Sequence, residues 1–216
     1  MPKPLFIAFT GADDAALLPG MQDLSARYPI EWGILVDRDR HGVPLFPASE
    51  VRAAFLAADG LRLTAHVCGT WAREIVTDPD TAGFDPAGFR RVQVNHGFQG
   101  SDAPQVDRTG RFARRHGMRA VLQCGGAFPA DAQVDWLYDV SFGTGRRPTH
   151  WPPLPASNAP FCGFSGGIGP DNVAGLLAGL EVPAGADFWI DMESGVRRDG
   201  RFDLAHCAAV CRAVYG

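Results

Sequence analysis

Carboxyl, imidazole and thiol groups stand at the ends of several apolar runs in this chain, where side chains can reach a ligand. His66 and Cys68 close one run, two residues apart, so both can point to one side of a strand. A thiolate there could act as base or nucleophile. The plainer account is a small packed cysteine beside a hydrogen-bonded histidine. Asp139 follows Trp136-Leu137-Tyr138. A carboxylate in that place is costly unless it faces an open mouth or a partner. Arg146 and Arg147 could pair with it instead. Asp191 and Glu193 share one face of another run. With Asp139 they would form an acidic mouth able to raise a carboxyl pKa, unless one of them serves only structure.

Glycine turns follow the last two apolar runs, Gly166-Gly167 after the first and Ser194-Gly195 after the second. Without β-carbons, a turn lets an oxyanion approach the backbone amides closely. Pro170 suits a first helical turn, with Asp171 beside it where the helix dipole is positive. Two adjacent turns of this kind, opening on one face, are a barrel's means of holding phosphate. Gly166, Gly167, Ser194 and Gly195 are therefore expected to bind phosphate or another small oxyanion. Glu193 argues against a phosphate, because a carboxylate repels one unless a cation compensates.

Eight apolar runs position these groups. They begin near Leu5, Glu31, Leu61, Arg90, Arg119, Trp136, Pro160 and Asp187. Most are continuous rather than alternating, as parallel strands covered on both faces require. Helical patterns lie between several of them, at residues 48–58, 171–180 and 203–215. The rhythm predicts an α/β fold, a small (β/α)8 TIM barrel formed as a single domain over residues 1–216. A doubly wound sheet fits eight strands and two late glycine turns less well. The crossovers after strands 5 and 6 are expected to be shortened, since the proline-rich HWPPLP segment leaves little room for a helix.

Composition narrows the function. Hydrophobic residues are 46% and charged residues 20%, ordinary for a globular protein, and the net charge is −4. Positive charge is scattered, so neither nucleic acid nor an anionic membrane is expected as a partner. No apolar run approaches the ~20 residues that span a bilayer, and no secretory cleavage pattern is present. Five cysteines without framework spacing suggest reduced thiols and a cytoplasmic location. Cys207 and Cys211 lie on an apolar helical stripe and are expected to pack in the core. No compact ligand spacing supports a metal, and no cofactor is expected. The expected partner is a small-molecule substrate, with the chain a monomer or homodimer.

Several segments resemble the phosphoribosylanthranilate isomerases. DVSFGTGRRPTHW resembles that family's sixth-strand aspartate with its Gly-Thr-Gly loop. GFSGGIGPDNV resembles its seventh-strand glycine turn, and WIDMESGVR its eighth-strand aspartate and Ser-Gly-Val turn. VQVNHG resembles its fourth strand with one extra residue, placing His96 at the family's histidine. In WGILVDRDRHGVPLFPASEVRAAF, Arg40 falls near its substrate-facing arginine. The bland reading of Arg38 and Arg40, interleaved with Asp37 and Asp39, is a solvated loop.

The resemblance implies acid–base isomerisation of a sugar phosphate, with Asp139 as general acid. The family's first-strand cysteine base is replaced here by Thr10, whose hydroxyl is too weak an acid for that work. Cys68 or His66 is then expected to supply the base. Arg40, His96, Gln123, Asp191 and Glu193 are the candidate substrate-binding residues. The expected function is isomerisation or epimerisation of a small sugar-like substrate, with or without phosphate, but not the tryptophan-pathway reaction. The competing expectation is a non-catalytic barrel that binds a small ligand after losing the ancestral base.

Overall fold

The computed structural model describes residues 1–97, 100–141, 144–156 and 159–216. Eight parallel strands close into a barrel in chain order, each hydrogen-bonded to the next and the eighth to the first. They are β1 (Phe6–Thr10), β2 (Ile30–Val36), β3 (Leu63–Val67), β4 (Arg91–Val94), β5 (Arg119–Cys124), β6 (Asp135–Tyr138), β7 (Cys162–Phe164) and β8 (Phe188–Met192). Every predicted apolar run forms one of these strands, and the fold is the (β/α)8 barrel expected from the sequence. Burial on both faces explains the continuous apolar runs: β1, β2, β3, β6, β7 and β8 are buried along their whole lengths.

Helices α1 (Leu18–Arg27), α2 (Ser49–Ala57), α3 (Gly69–Thr77) and α4 (Ala103–Arg115) cover the first half of the barrel. Helices α5 (Val173–Gly179) and α6 (Leu204–Tyr215) cover the last two units. Their starts follow local chemistry. Asp102 and Gln105 form a reciprocal capping box on α4, and the Asp203 carboxylate accepts the Ala205 amide at the head of α6. Helices α1, α3 and α4 extend beyond the three helical patterns read in the sequence. In α4 the apolar stripe is thin, and Thr109 and Gly110 are buried on it. A two-strand hairpin, β9 (Arg197–Arg198) and β10 (Arg201–Phe202), precedes α6.

No helix lies between β5 and β6, or between β6 and β7, among the described residues. The expectation of two shortened crossovers needs one correction. The β6–β7 connection lacks a helix but runs over residues 139–161. It replaces the helix with side chains. Trp151 lies edge-on to both Tyr138 and Phe164, at 5.7 Å between centroids in each case. Phe128, from the β5–β6 connection, meets Phe164 at 5.4 Å. The Tyr138 hydroxyl donates to the His150 carbonyl at 3.0 Å. Aromatic area thus covers strands that a helix would otherwise cover.

Inside the barrel, alternate residues of each strand meet. Phe6, Ala8, Val121, Leu137 and Trp189 form a closed apolar plug. Gly163 makes room for it, since a β-carbon there would stand 2.3 Å from the Trp189 ring. Below the plug, at the N-terminal ends of the strands, charges pair. Arg91 donates to Glu31 from Nε at 3.0 Å and from Nη2 at 2.8 Å. Asp135 pairs with both Arg91 and Arg119. The Arg91 guanidinium also lies 4.6 Å from the Trp189 ring centroid. This network closes the floor and leaves the other end of the barrel open.

At the opposite end one carboxylate ties three loops together. Asp13, after β1, accepts the Leu45 amide of the β2 loop at 2.8 Å and Arg197 of the β8 loop at 2.9 Å. Arg197 also donates to the Gly11 carbonyl at 2.8 Å. The loops that frame the mouth on the β8–β1–β2 side are therefore cross-linked by hydrogen bonds.

Candidate active site

A cavity of about 420 Å³ opens at the C-terminal ends of the strands. Its wall includes His66 and Cys68 from β3, Gln123 from β5, Asp139 after β6, and Asp191, Glu193 and Ser194 at the end of β8. Arg40, His96, Gly166 and Gly167 complete the predicted residues that line it. Residues from many strands converge because the period of two turns every second side chain inward. Gly195 is the exception. It does not line the cavity, and a β-carbon on it would lie 1.9 Å from the Ile168 carbonyl oxygen. Its bareness serves loop packing, so its expected role in phosphate binding is corrected to a structural one.

Asp191 is buried in the acidic wall, 5% exposed. The Thr10 hydroxyl donates to its Oδ1 at 2.7 Å. Burial pushes the Asp191 carboxyl up to about 7, Thr10 holds it back, and the nearby charges of Glu193 and Asp139 push it further. The acidic mouth expected from the sequence thus has a physical effect. Thr10, read in the sequence only as the loss of a base, is a hydrogen-bond donor to a carboxylate.

Asp139 is held in place without an arginine. Its Oδ1 accepts the Ser141 amide and the Ser141 hydroxyl, both at 2.7 Å, and its Oδ2 accepts Gln123 at 3.0 Å. Ser141 was not among the residues singled out in the sequence. Its place two residues after an aspartate is the spacing of a side-chain-to-backbone turn and could have flagged it. The Glu193 carboxylate makes no hydrogen bond or ion pair among the described residues, while its backbone carbonyl accepts the Val196 amide at 3.3 Å. Burial raises its carboxyl above the usual range, Arg197 opposes the rise, and Asp139 adds to it.

His66 and Cys68 face the cavity, but neither suits the role of a strong base. Burial, reinforced by Arg91, pushes the His66 imidazole down to about 3, so it is neutral near pH 7. Its ring makes no hydrogen bond among the described residues. The bare face of Gly33 makes room for it: a β-carbon there would lie 2.7 Å from His66 Nε2 and 2.3 Å from Thr10 Oγ1. Burial pushes the Cys68 thiol up to about 11 against the Asn95 hydrogen bond, which opposes the rise. Asn95 Nδ2 lies 3.5 Å from the sulfur. A low-dielectric wall disfavours the anion, which argues against the Cys68 thiolate expected from the sequence.

The rim is mixed. Arg40 pairs with buried Asp37 at 2.6 Å and lies over the Phe46 ring at 3.9 Å. Its guanidinium is already engaged. Arg73, on α3, lines the cavity without an ion-pair partner among the described residues and was missed in the sequence. His96 hydrogen-bonds Ser101 at 2.7 Å, and burial lowers its pKa. Leu35, Phe46 and Cys68 form a small apolar cluster along the β2–β3 side. Among the described residues, no group of three His, Cys, Asp or Glu is arranged to hold a metal ion.

The glycine turns belong to the cavity wall at Gly166, Gly167, Ile168 and Ser194. No acceptor for the backbone N–H of Gly166, Gly167, Ile168 or Ser194 is found among the described residues. Asn172 braces the first turn, donating to the Gly167 carbonyl at 2.8 Å and accepting the Gly169 amide at 3.0 Å. Gly166 and Gly167 have φ values of 114° and 62°, a region that disfavours side chains. Gly145 packs onto the Ser194 side chain, so three loops meet here.

A closed parallel barrel with a polar cavity at the strand C-termini places the protein among the (β/α)8 barrels. Comparison with solved structures agrees on the fold. The chain is similar to phosphoribosyl anthranilate isomerase from Thermococcus kodakaraensis, with a TM-score of 0.59 and 15% identity over 98% of this chain and 99% of that one. It is similar to N-(5'-phosphoribosyl)anthranilate isomerase from Pyrococcus furiosus, with a TM-score of 0.58 and 12% identity over 97% and 98%. It is also similar to 3-hexulose-6-phosphate synthase from Salmonella typhimurium, with a TM-score of 0.52 and 14% identity over 99% and 98%. No protein-family model matches the sequence, and neither does any curated protein sequence. At these identities the likeness establishes the shared barrel.

Proposed function

We propose that this barrel catalyses acid–base isomerisation or epimerisation of a small sugar-like substrate, with Asp191 and Asp139 as the proton-handling pair. The observation that carries the reading is the placement of Asp191. It is buried in the wall of the cavity, is fixed by Thr10, and has no ion-pair partner among the described residues. A carboxyl poised near neutral pH can both take and return a proton. It takes over the role expected for Cys68 or His66. Asp139, pinned by Ser141 and Gln123, lines the same cavity and serves the second proton position. Neutral His66, in the cavity wall, donates a hydrogen bond to a substrate carbonyl without first losing a charge. The free amides of the glycine turns hold an oxyanion on the substrate. Thr10 in place of a first-strand base argues against efficient turnover of phosphoribosylanthranilate.

Solvent deuterium is the direct probe. Aldoses, ketoses and their phosphates are incubated with the protein in D₂O, and label at the carbon beside the carbonyl is followed by NMR. At least one compound exchanges with the native protein, and Asp191→Asn slows that exchange by ~10²–10⁴. Asp139→Asn slows net conversion more than exchange, because it removes the second position only. A compound that binds the cavity while none exchanges would identify a binding barrel and end the catalytic reading. Unchanged exchange in Asp191→Asn would place the base elsewhere.

A further inference from the structure

Glu193 stands where an anion site should least tolerate it. It lines the same cavity as Gly166, Gly167, Ile168 and Ser194, whose amides lack acceptors among the described residues. Four residues of the cavity wall carry amides with no acceptor among the described residues, yet the neighbouring side chain is a carboxylate. Arg197 is the nearest compensating cation, but its guanidinium is spent on the Gly11 carbonyl, Asp13 and the Gly200 carbonyl. Arg146 and Arg147 of the β6 loop pack their backbones on the Gly166-Gly167 turn, and neither forms an ion pair among the described residues. Other titratable groups line the cavity with Glu193. Asp191 lies on its own strand, Asp139 follows β6, and both are acidic. His66 and Cys68 on β3 are held in their neutral forms. His96 after β4 is pushed toward neutrality, Arg40 is paired with Asp37, and Arg73 stands on the rim.

We propose that Glu193 is itself a ligand-binding residue, which holds the substrate's oxyanion as a neutral carboxylic acid and donates its proton to an oxygen cradled by the glycine-turn amides. This rests on the reading of those turns as an oxyanion site. Each oxyanion that binds then brings one proton from solvent onto Glu193. The ligand class is a tetrahedral or carboxylate oxyanion with a spare acceptor oxygen, such as a phosphate ester. Burial already favours the protonated form of Glu193, and an arriving anion favours it further. The conflict between the turn and the carboxylate disappears, because the proton makes the carboxyl a donor like the amides beside it.

Sulfate is the probe, because it carries no titrating proton near neutral pH. Its affinity is measured from the ¹⁵N–¹H shifts of Gly166, Gly167 and Ser194 between about pH 6 and about pH 8.5. The Asp191 carboxyl titrates near 7 in the same cavity, so the measurement is made in the Asp191→Asn background, where that charge is absent. There, affinity falls by up to about tenfold per pH unit above the free Glu193 pKa. Adding Glu193→Gln supplies the same hydrogen bond without a proton, and affinity becomes flat with pH. A flat profile in Asp191→Asn overturns the proposal, as does a slope that survives in the double variant. Binding to the double variant alone would make Glu193 an anion excluder, which overturns the proposal and spares the turns. If neither variant binds sulfate, the oxyanion reading of the turns falls and this inference with it. The Asp191 exchange experiment stands apart from all these outcomes.

Discussion

The two ends of the barrel handle buried charge in opposite ways. At the N-terminal end, Glu31 and Asp135 are 1% and 2% exposed, and each has a guanidinium on it. At the C-terminal end, Asp139 and Asp191 are as buried, but their partners are hydroxyls and amides. The first arrangement neutralises charge within the fold. The second leaves a negative surplus facing an open cavity. Burying a carboxylate without a cation is expensive, so its presence marks a place where the fold gives up stability for something else. The lower end pairs its buried charges within the fold and the upper end presents them to a cavity, although both are built from the same strands.

The largest test of this contrast breaks the lower end. Arg91→Ala leaves Glu31 buried without its guanidinium and Asp135 with only Arg119. We expect a loss of roughly 3–5 kcal/mol in chemical denaturation, the usual penalty for stranding a buried charge. A loss below about 1 kcal/mol would show that the lower network is not needed for folding.

The upper end should respond with the opposite sign. The Asp191 carboxyl is raised from 3.8 to about 7, so the folded state favours its protonated form. Its contribution to stability is complete below about pH 4 and is lost as pH rises to about 7. Asp191→Asn keeps an acceptor for Thr10 and removes that loss. The variant is expected to be more stable than the native protein by roughly 1–4 kcal/mol at about pH 8, with the gain shrinking toward about pH 5. Denaturation at the two pH values checks it, and a destabilised variant at the higher pH would erase the contrast between the ends.

The smallest effect is the control. Arg115 and Asp80 form an exposed pair on the outside of the barrel, with side chains 43% and 64% exposed. Arg115→Gln should change stability by no more than ~0.5 kcal/mol. A larger loss would mean that exposure, and not pairing, is a poor guide to these charges.

Much of this was legible in the sequence, and the reasons differ by residue. The strands were readable because two-sided burial writes continuous apolar runs such as Glu31–Val36 and Asp187–Met192. Asp139, Asp191 and Glu193 were readable because a carboxylate after an apolar run has few places to go. Helix α4 was harder, since its buried face includes Thr109 and Gly110 rather than a full apolar stripe. The state of Cys68 was not readable at all. Whether a thiol ionises depends on the solvent left around it, and that is fixed by side chains from β2 and β4, distant in sequence. Thr10 taught the same lesson in reverse. Its partner Asp191 lies at the other end of the chain, and only closure of the barrel between β1 and β8 brings them together. Gly195 was misplaced because a glycine bare for a ligand and one bare for a neighbouring loop look alike in sequence.

The aromatic cover over β6 and β7 has a practical consequence. Trp151 packs on Tyr138, and Tyr138 is the residue next to Asp139. The indole is therefore two steps from a carboxylate of the cavity, while Trp32, Trp136 and Trp189 are sealed in the interior. A shift of Asp139 on binding would pass through the Tyr138 backbone to the ring geometry around Trp151. It is expected as a change in near-ultraviolet dichroism and tryptophan emission that survives in Trp71→Phe, which removes the other partly buried indole, and is lost in Trp151→Phe. The aromatic cover would then serve as an optical gauge of the mouth, usable with unlabelled compounds.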